Sequence, residues 1–189
     1  IDLKKYFQSK SAVNIFLKDF VNHIKTGHCI FFYGDLGVGK TYFSQQIIKY
    51  FTSVEFVSSP TYNIVNTYKY NDDVDILHCD LYRLNSYDEV LELGILDNLD
   101  KKILLVEWPN FLEKIIKDPI IFKINFGKTN YERDVIINLP KNFTMSSAES
   151  AGSAKDAKPT SDSDSAESST PFDAAVIAAR RISYDGDVV

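Results

Sequence analysis

Cysteine is almost missing from this chain of 189 residues: there are two, Cys29 and Cys79. They form no C-x-x-C pair, and each sits in a strand-like apolar run. That pattern argues against a disulfide framework or a thiolate metal site, and the expectation is buried free thiols in a reducing, cytoplasmic setting. The three histidines, His23, His28 and His78, have no metal-ligand spacing, so none is assigned to a metal. No uninterrupted apolar run approaches the roughly 20 residues of a membrane span, and no secretory leader is visible. Positive charge is scarce too. With 21 Lys and Arg against 26 Asp and Glu, the net charge of −5 lays down no global basic footprint for nucleic acid, which leaves only a local basic patch open. Before residue 144 the only alanine is Ala12 and the only arginines are Arg83 and Arg133. What remains is rich in Ile, Phe, Tyr, Asn and Lys, and long enough to bury one core.

One stretch organises the rest. Gly34-Asp35-Leu36-Gly37-Val38-Gly39-Lys40-Thr41 fits G-x-x-x-x-G-K-[ST], the phosphate-binding P-loop. Glycines let the backbone curl so that successive N–H groups point at phosphate oxygens, and a following helix adds its positive N-terminus. Lys40 would reach the β- and γ-phosphates, and the Thr41 hydroxyl would ligate Mg²⁺. The preceding run, from Cys29 to Tyr33, reads as a buried strand, and residues 43–51 read as a helix. Strand, glycine loop and helix are the context the motif requires. A glycine-rich turn with no ligand is the competing explanation.

The chain in order gives an α/β expectation. Residues 11–27 have apolar positions at helical spacing, with Ser11 to start the helix and Gly27 to end it. Residues 54–57 read as a short strand. Residues 62–70 and 74–82, around Asn71-Asp72-Asp73, read as a hairpin, which places antiparallel strands beside a parallel core. The acids Asp72, Asp73 and Asp75 are explained by turn chemistry rather than a metal. Ser86 opens a helix to about residue 96 as the first position of a capping box closed by Glu89. Residues 102–106 form a strongly apolar strand, 110–117 look helical, and 119–126 and 131–139 form a last pair of strands. The domain is expected to span 1–143. From 144 to 189 the composition turns to Ser, Ala, Asp and Glu, which predicts a disordered tail, with at most a short helix over 172–181.

A P-loop needs an acid near Mg²⁺ and something to place the attacking water. Asp80 and Glu107 each end a strand-like run, where ligands of open α/β sheets bind. Either could instead be an exposed strand-end acid. Thr61, after Pro60, could sense phosphate or metal in a switch-like loop, although Ser-Pro-Thr is also an ordinary turn. Trp108, the one tryptophan, either packs, stacks on a partner or shields the site.

Together these residues resemble the TsaE (YjeE) family. The motifs are the P-loop, Ser59-Pro60-Thr61-Tyr62, Asp80-Leu81-Tyr82-Arg83-Leu84, Glu92-Leu93-Gly94 and Val106-Glu107-Trp108-Pro109, in that order, over about residues 10–140. The resemblance implies a P-loop NTPase-like three-layer sandwich with a mixed, mostly parallel sheet, an antiparallel hairpin and flanking helices. It implies a cytoplasmic, Mg²⁺-dependent ATPase binding ATP or ADP. The family acts in synthesis of threonylcarbamoyladenosine at adenosine 37 of tRNA, with a TsaD–TsaB heterodimer, which implies tRNA as an indirect partner through that complex. Residue by residue, it places Asp35, Leu36, Gly37, Val38, Gly39, Lys40, Thr41 and Tyr42 around the phosphates, and Thr41, Asp80 and Glu107 at the metal. Lys40, Asp80 and Glu107 become the catalytic set. Thr61 falls in the switch-like segment, Trp108 matches a functional tryptophan, and Arg133 matches a basic position before the last strand, where an exposed arginine is the alternative. Val38 replaces a common alanine. Three other functions fit the residues less well. A GTP-binding switch would need Asn-Lys-x-Asp and D-x-x-G, both lacking, and a small-molecule kinase would bring a lid with several arginines. An inactive interaction protein is disfavoured by the intact Lys40, Thr41, Asp80 and Glu107.

Overall fold

Five consecutive residues as apolar as Cys29-Ile30-Phe31-Phe32-Tyr33 can be satisfied only in a strand covered on both faces. In the computed structural model, which describes residues 1–145, that run is the middle of a seven-stranded sheet. The strands are β1 (Asp2–Phe7), β2 (Cys29–Tyr33), β3 (Val65–Lys69), β4 (Asp75–Asp80), β5 (Lys102–Glu107), β6 (Ile120–Phe126) and β7 (Arg133–Asn138). The α-helices are α1 (Lys10–Phe20), α2 (Lys40–Phe51) and α3 (Tyr87–Glu92). Sheet order is β1-β7-β6-β2-β5-β4-β3. The central neighbours β6, β2, β5 and β4 run parallel, while β3, β7 and β1 join antiparallel at the flanks. This is the P-loop NTPase-like mixed sandwich, and the expected hairpin is the pair β3 and β4.

Strand alternation divides the core in two. Ile30, Phe32, Ile103, Leu105 and Phe122 pack with Val13, Leu17 and Phe20 of α1 and Phe43 and Ile47 of α2. Phe31, Leu77, Cys79, Leu104 and Val106 pack on the opposite face with Val90 of α3 and with Leu112 and Ile116. Both cysteines are buried and free; burial pushes the Cys29 thiol up to about 11 and the Cys79 thiol higher, so both stay protonated and inert.

Several boundaries differ from the sequence expectation, for physical reasons. Helix α1 is capped two residues earlier, because Ser9, not Ser11, accepts from the Ala12 amide at 3.2 Å. It ends at Phe20 and tightens into a 3₁₀ turn over Val21–His23, so Gly27 closes the following loop instead of the helix. Residues 54–57 form no strand: β3 already occupies the edge beside β4, and Phe56 is left exposed. Residues 110–117 form successive turns, not a helix. The β-branched pair Ile115-Ile116 and Pro119 shorten a segment that is already below a stable helical length, yet Leu112 and Ile116 are buried as a helix would bury them. Strand β1 was not expected at all. Asn71 Oδ1 accepts from the amides of Asp73 and Val74, so the acidic run is a turn, and among the described residues no three His, Cys, Asp or Glu cluster to hold a metal. No helix among them is long and apolar enough to cross a membrane. The expected tail features lie outside the described residues.

Candidate functional site

The end of β2 delivers Gly34 into a space too small for any other residue. Its φ is +140°, and a Cβ there would stand 2.2 Å from the Ile124 carbonyl oxygen and 2.8 Å from Val38 Cγ1. A Gly34→Ala chain is therefore expected to lose about 2 kcal/mol or more of stability; urea denaturation reads this, and an unchanged midpoint would mean the loop relaxes freely. The loop closes at Gly39, in the left-handed region at φ +108°, which is the N-cap of α2 and supplies no side-chain hydrogen bond. A twelve-residue helix thus points an N-terminus with no side-chain cap at the loop, the arrangement that favours an anion.

Lys40, the first residue of α2, is nearly buried. Its Nζ donates to the carbonyls of Gly34 at 2.6 Å and Asp35 at 2.8 Å, and lies 3.9 Å from the centre of the Trp108 ring. Trp108 reaches that place through a left-handed φ of +57°, uncommon for a bulky residue, which turns the chain sharply after β5. Its ring packs against Tyr82, with centroids 4.9 Å apart, and its Nε1 is buried with no partner among the described residues.

The period of two along β4 and β5 builds the acidic side. Ile76, His78 and Asp80 share one face with Ile103, Leu105 and Glu107, and Asp80 is the direct neighbour of Glu107 across the parallel pair. Both carboxylates are buried. The Thr41 hydroxyl donates to Glu107 Oε2 at 2.8 Å. The Thr61 hydroxyl donates to Asp80 Oδ2 at 3.3 Å and shares a 2.7 Å bond with Ser59 Oγ. Asp80 Oδ1 accepts from the Tyr82 amide at 3.2 Å. Lys40, Thr41, Thr61, Asp80, Glu107 and Trp108, drawn from four separate segments, meet at the carboxyl end of the sheet.

Two of the expected residues act differently from a direct ligand. Arg133 is neither exposed nor pointed at open space: it is 1% exposed, donates from Nε to the Val38 carbonyl at 2.7 Å and from Nη1 to the carbonyls of Asn130 and Glu132. It braces the loop backbone from below. The Tyr42 hydroxyl donates to Asn14 Oδ1 at 2.7 Å, which ties α2 to α1, while its backbone stays in the first helical turn. His78 was passed over in the sequence, yet its Nε2 stands 2.9 Å from Glu107 Oε1. The available signal was its position two before Asp80, hence on the same strand face.

The donor set suits the expected ligands. Two adjacent carboxylates repel one another, which a cation relieves, and a hydroxyl plus two carboxylates are hard oxygen donors. They are too few for an all-protein cage and fit an ion that shares its shell with phosphate oxygens and water. The glycine cradle and the uncapped helix fit the phosphates. Two clefts, of about 400 and 690 Å³, open elsewhere, beside residues 113–118, and include none of Lys40, Asp80 or Glu107.

Comparison with known proteins agrees with this geometry. The family model described as "Threonylcarbamoyl adenosine biosynthesis protein TsaE" matches residues 7–135. A Rickettsia bellii protein named tRNA threonylcarbamoyladenosine biosynthesis protein TsaE is 40% identical over 114 residues, covering 60% of this chain and 78% of the relative. Its namesake from Borreliella burgdorferi is 34% identical over 140 residues, covering 70% and 96%. The crystal structure of Bacillus subtilis YdiB superposes with a TM-score of 0.57 over 75% of this chain and 88% of that one, at 22% identity, a likeness of fold. The matched segment contains the glycine loop, both acids and Arg133, and the chain belongs to the TsaE family.

Proposed function

We propose that this chain binds ATP with Mg²⁺ and hydrolyses it slowly on its own, as the ATPase of the machinery that makes threonylcarbamoyladenosine at position 37 of tRNA. There it drives or resets a TsaD–TsaB pair. The observation that carries the reading is the convergence of Asp80 and Glu107 with Thr41 at the uncapped start of α2.

The residues divide the work as follows. The amides of residues 35–42 and the α2 N-terminus receive the phosphates, and Lys40 exchanges the two carbonyls it now holds for β- and γ-phosphate oxygens. Thr41 and Asp80, with Glu107 beside them, are the groups that would hold Mg²⁺. When bound, Mg²⁺ neutralises phosphate charge that develops as the terminal group departs. Glu107 orients the attacking water and accepts its proton as the oxygen bonds to the γ-phosphorus and the bond to the bridging oxygen breaks. Thr61, hydrogen-bonded to Asp80, couples the 58–62 loop to the state of the site. Low basal turnover follows from the arginines. Arg133 is occupied beneath the loop, and Arg83 lies over the Tyr62 ring, its guanidinium carbon 5.1 Å from the centroid, so among the described residues neither is placed as an arginine finger.

The test is Mg²⁺-dependent hydrolysis of ATP and of GTP, by the chain alone and with TsaD–TsaB added. ATP-selective turnover that rises with the pair supports the reading. GTP preference would replace it with a GTP-binding switch, and turnover indifferent to the pair would leave an ATPase with another partner.

A further inference from the structure

Polar side chains buried in an apolar layer stay there because something satisfies them. His78 is fully buried on β4, between Ile76 and Asp80, on the face that packs against α1 and α2. Its neighbour across the sheet is Leu105, and the ring reaches one step further along β5 to Glu107. A leucine would fill much the same volume, so packing alone does not account for an imidazole here. The partner does. Nε2 lies 2.9 Å from Glu107 Oε1, while Glu107 Oε2 accepts from Thr41 at 2.8 Å. The two oxygens are thereby held from opposite sides, one by the first turn of α2 and one by β4. An ionised carboxylate only accepts, so Nε2 carries the hydrogen. Nδ1 has no partner among the described residues and suits an unprotonated nitrogen better than a second buried N–H.

We propose that His78 is a positioning residue for Glu107, its Nε2–H holding the carboxylate in the one rotation that presents an oxygen to Thr41 and the reacting water. The Thr41 contact alone cannot do this, because a carboxylate held by one oxygen still swings about its own axis. The inference rests on the ATPase reading above.

The experiment uses the full chain and two substitutions. His78→Leu keeps the volume and removes the donor; His78→Gln returns an N–H at nearly the same reach. His78→Leu is expected to lower TsaD–TsaB-stimulated kcat for ATP about 10- to 100-fold, the usual cost of losing a group that orients a reacting side chain. KM and the equilibrium affinity for ATP should move less than about threefold, because the phosphate cradle is untouched, and His78→Gln should recover most of the loss. Imidazole ¹⁵N spectra of the parent chain without nucleotide should show the Nε2–H tautomer. A folded His78→Leu chain with parental kcat, a joint fall of kcat and ATP affinity, or a glutamine variant no better than leucine overturns the proposal. Should the leucine variant not fold, the glutamine variant and the tautomer decide it. An Nδ1–H tautomer overturns the positioning role and leaves the ATPase reading standing, whereas a parent chain with no turnover overturns both.

Discussion

A Lys40→Ala chain is expected to bind ATP about 100-fold more weakly than its parent, a loss of about 2.7 kcal/mol. The lysine carries its charge into the cradle, and its contacts to phosphate would be charge-assisted and partly desolvated, the class whose truncation costs most. Alanine is the best helix former, so the first turn of α2 should survive and the loss should fall on the ligand rather than the fold. Isothermal titration with Mg²⁺ and ATP measures it, and unchanged affinity would remove the P-loop assignment. The same lysine lies 3.9 Å from the centre of the Trp108 ring, and Trp108 is the only tryptophan in the chain. Nucleotide binding, which draws the cation away from the ring, should therefore change intrinsic fluorescence in the parent and leave it flat in the variant.

Glu107→Gln is expected to do the reverse. The amide keeps the shape of the side chain but accepts no proton, so hydrolysis should fall about 100- to 1000-fold, while ATP affinity stays within about threefold. Glutamine is the better choice than alanine here. Removing the carboxylate altogether would strand the Thr41 hydroxyl and the His78 ring in a buried site, and a loss of activity would then be confounded with a loss of fold. With glutamine, one end of the amide still meets Thr41 and the ring of His78 can shift its hydrogen to suit the other. Single-turnover kinetics on pre-bound ATP separate the two effects. Full activity in this variant would show Glu107 to be structural.

The parts of the site that could be read in the sequence are those whose chemistry depends on local spacing. The glycine loop is eight contiguous residues, Asp80 and Glu107 each end their own apolar run, and the hairpin of β3 and β4 is closed by a three-residue turn signal. What could not be read depends on partners distant in the chain. Asp2 to Phe7 carries three charges in six residues and shows no apolar periodicity. It becomes a strand only because β7 offers an edge, and its lysines suit that outer position. For Arg133 the sequence offers a site position by resemblance, with an exposed strand-start arginine as the alternative, and neither tells what it holds. Its burial depends on the Val38 carbonyl, 95 residues earlier, and on two carbonyls next to it. His78 has no metal-ligand spacing to single it out, and only the register of β4 against β5 puts a carboxylate beside it. Residues 54–57 and 110–117 failed in the other direction. Their local patterns were adequate, but β3 takes the place beside β4 that the first would have filled, and Pro119 with two adjacent isoleucines cut the second short.

The pairing of β1 with β7 also sets an order of events. Asp2 and Asn138, 136 residues apart in the chain, are joined by a side-chain hydrogen bond, and the Leu139 amide donates to the Ile1 carbonyl. On the ribosome β1 is made long before its partner exists, so it must wait, unpaired, through synthesis of the central strands β2 to β6. Closing so large a loop is slow compared with forming α1 or the β3–β4 hairpin. The central parallel strands and α2 are thus free to assemble first, and β1 docks on a preformed edge as a late step. Amide exchange should find its protection, and that of β7 facing it, established after that of β2 and β5.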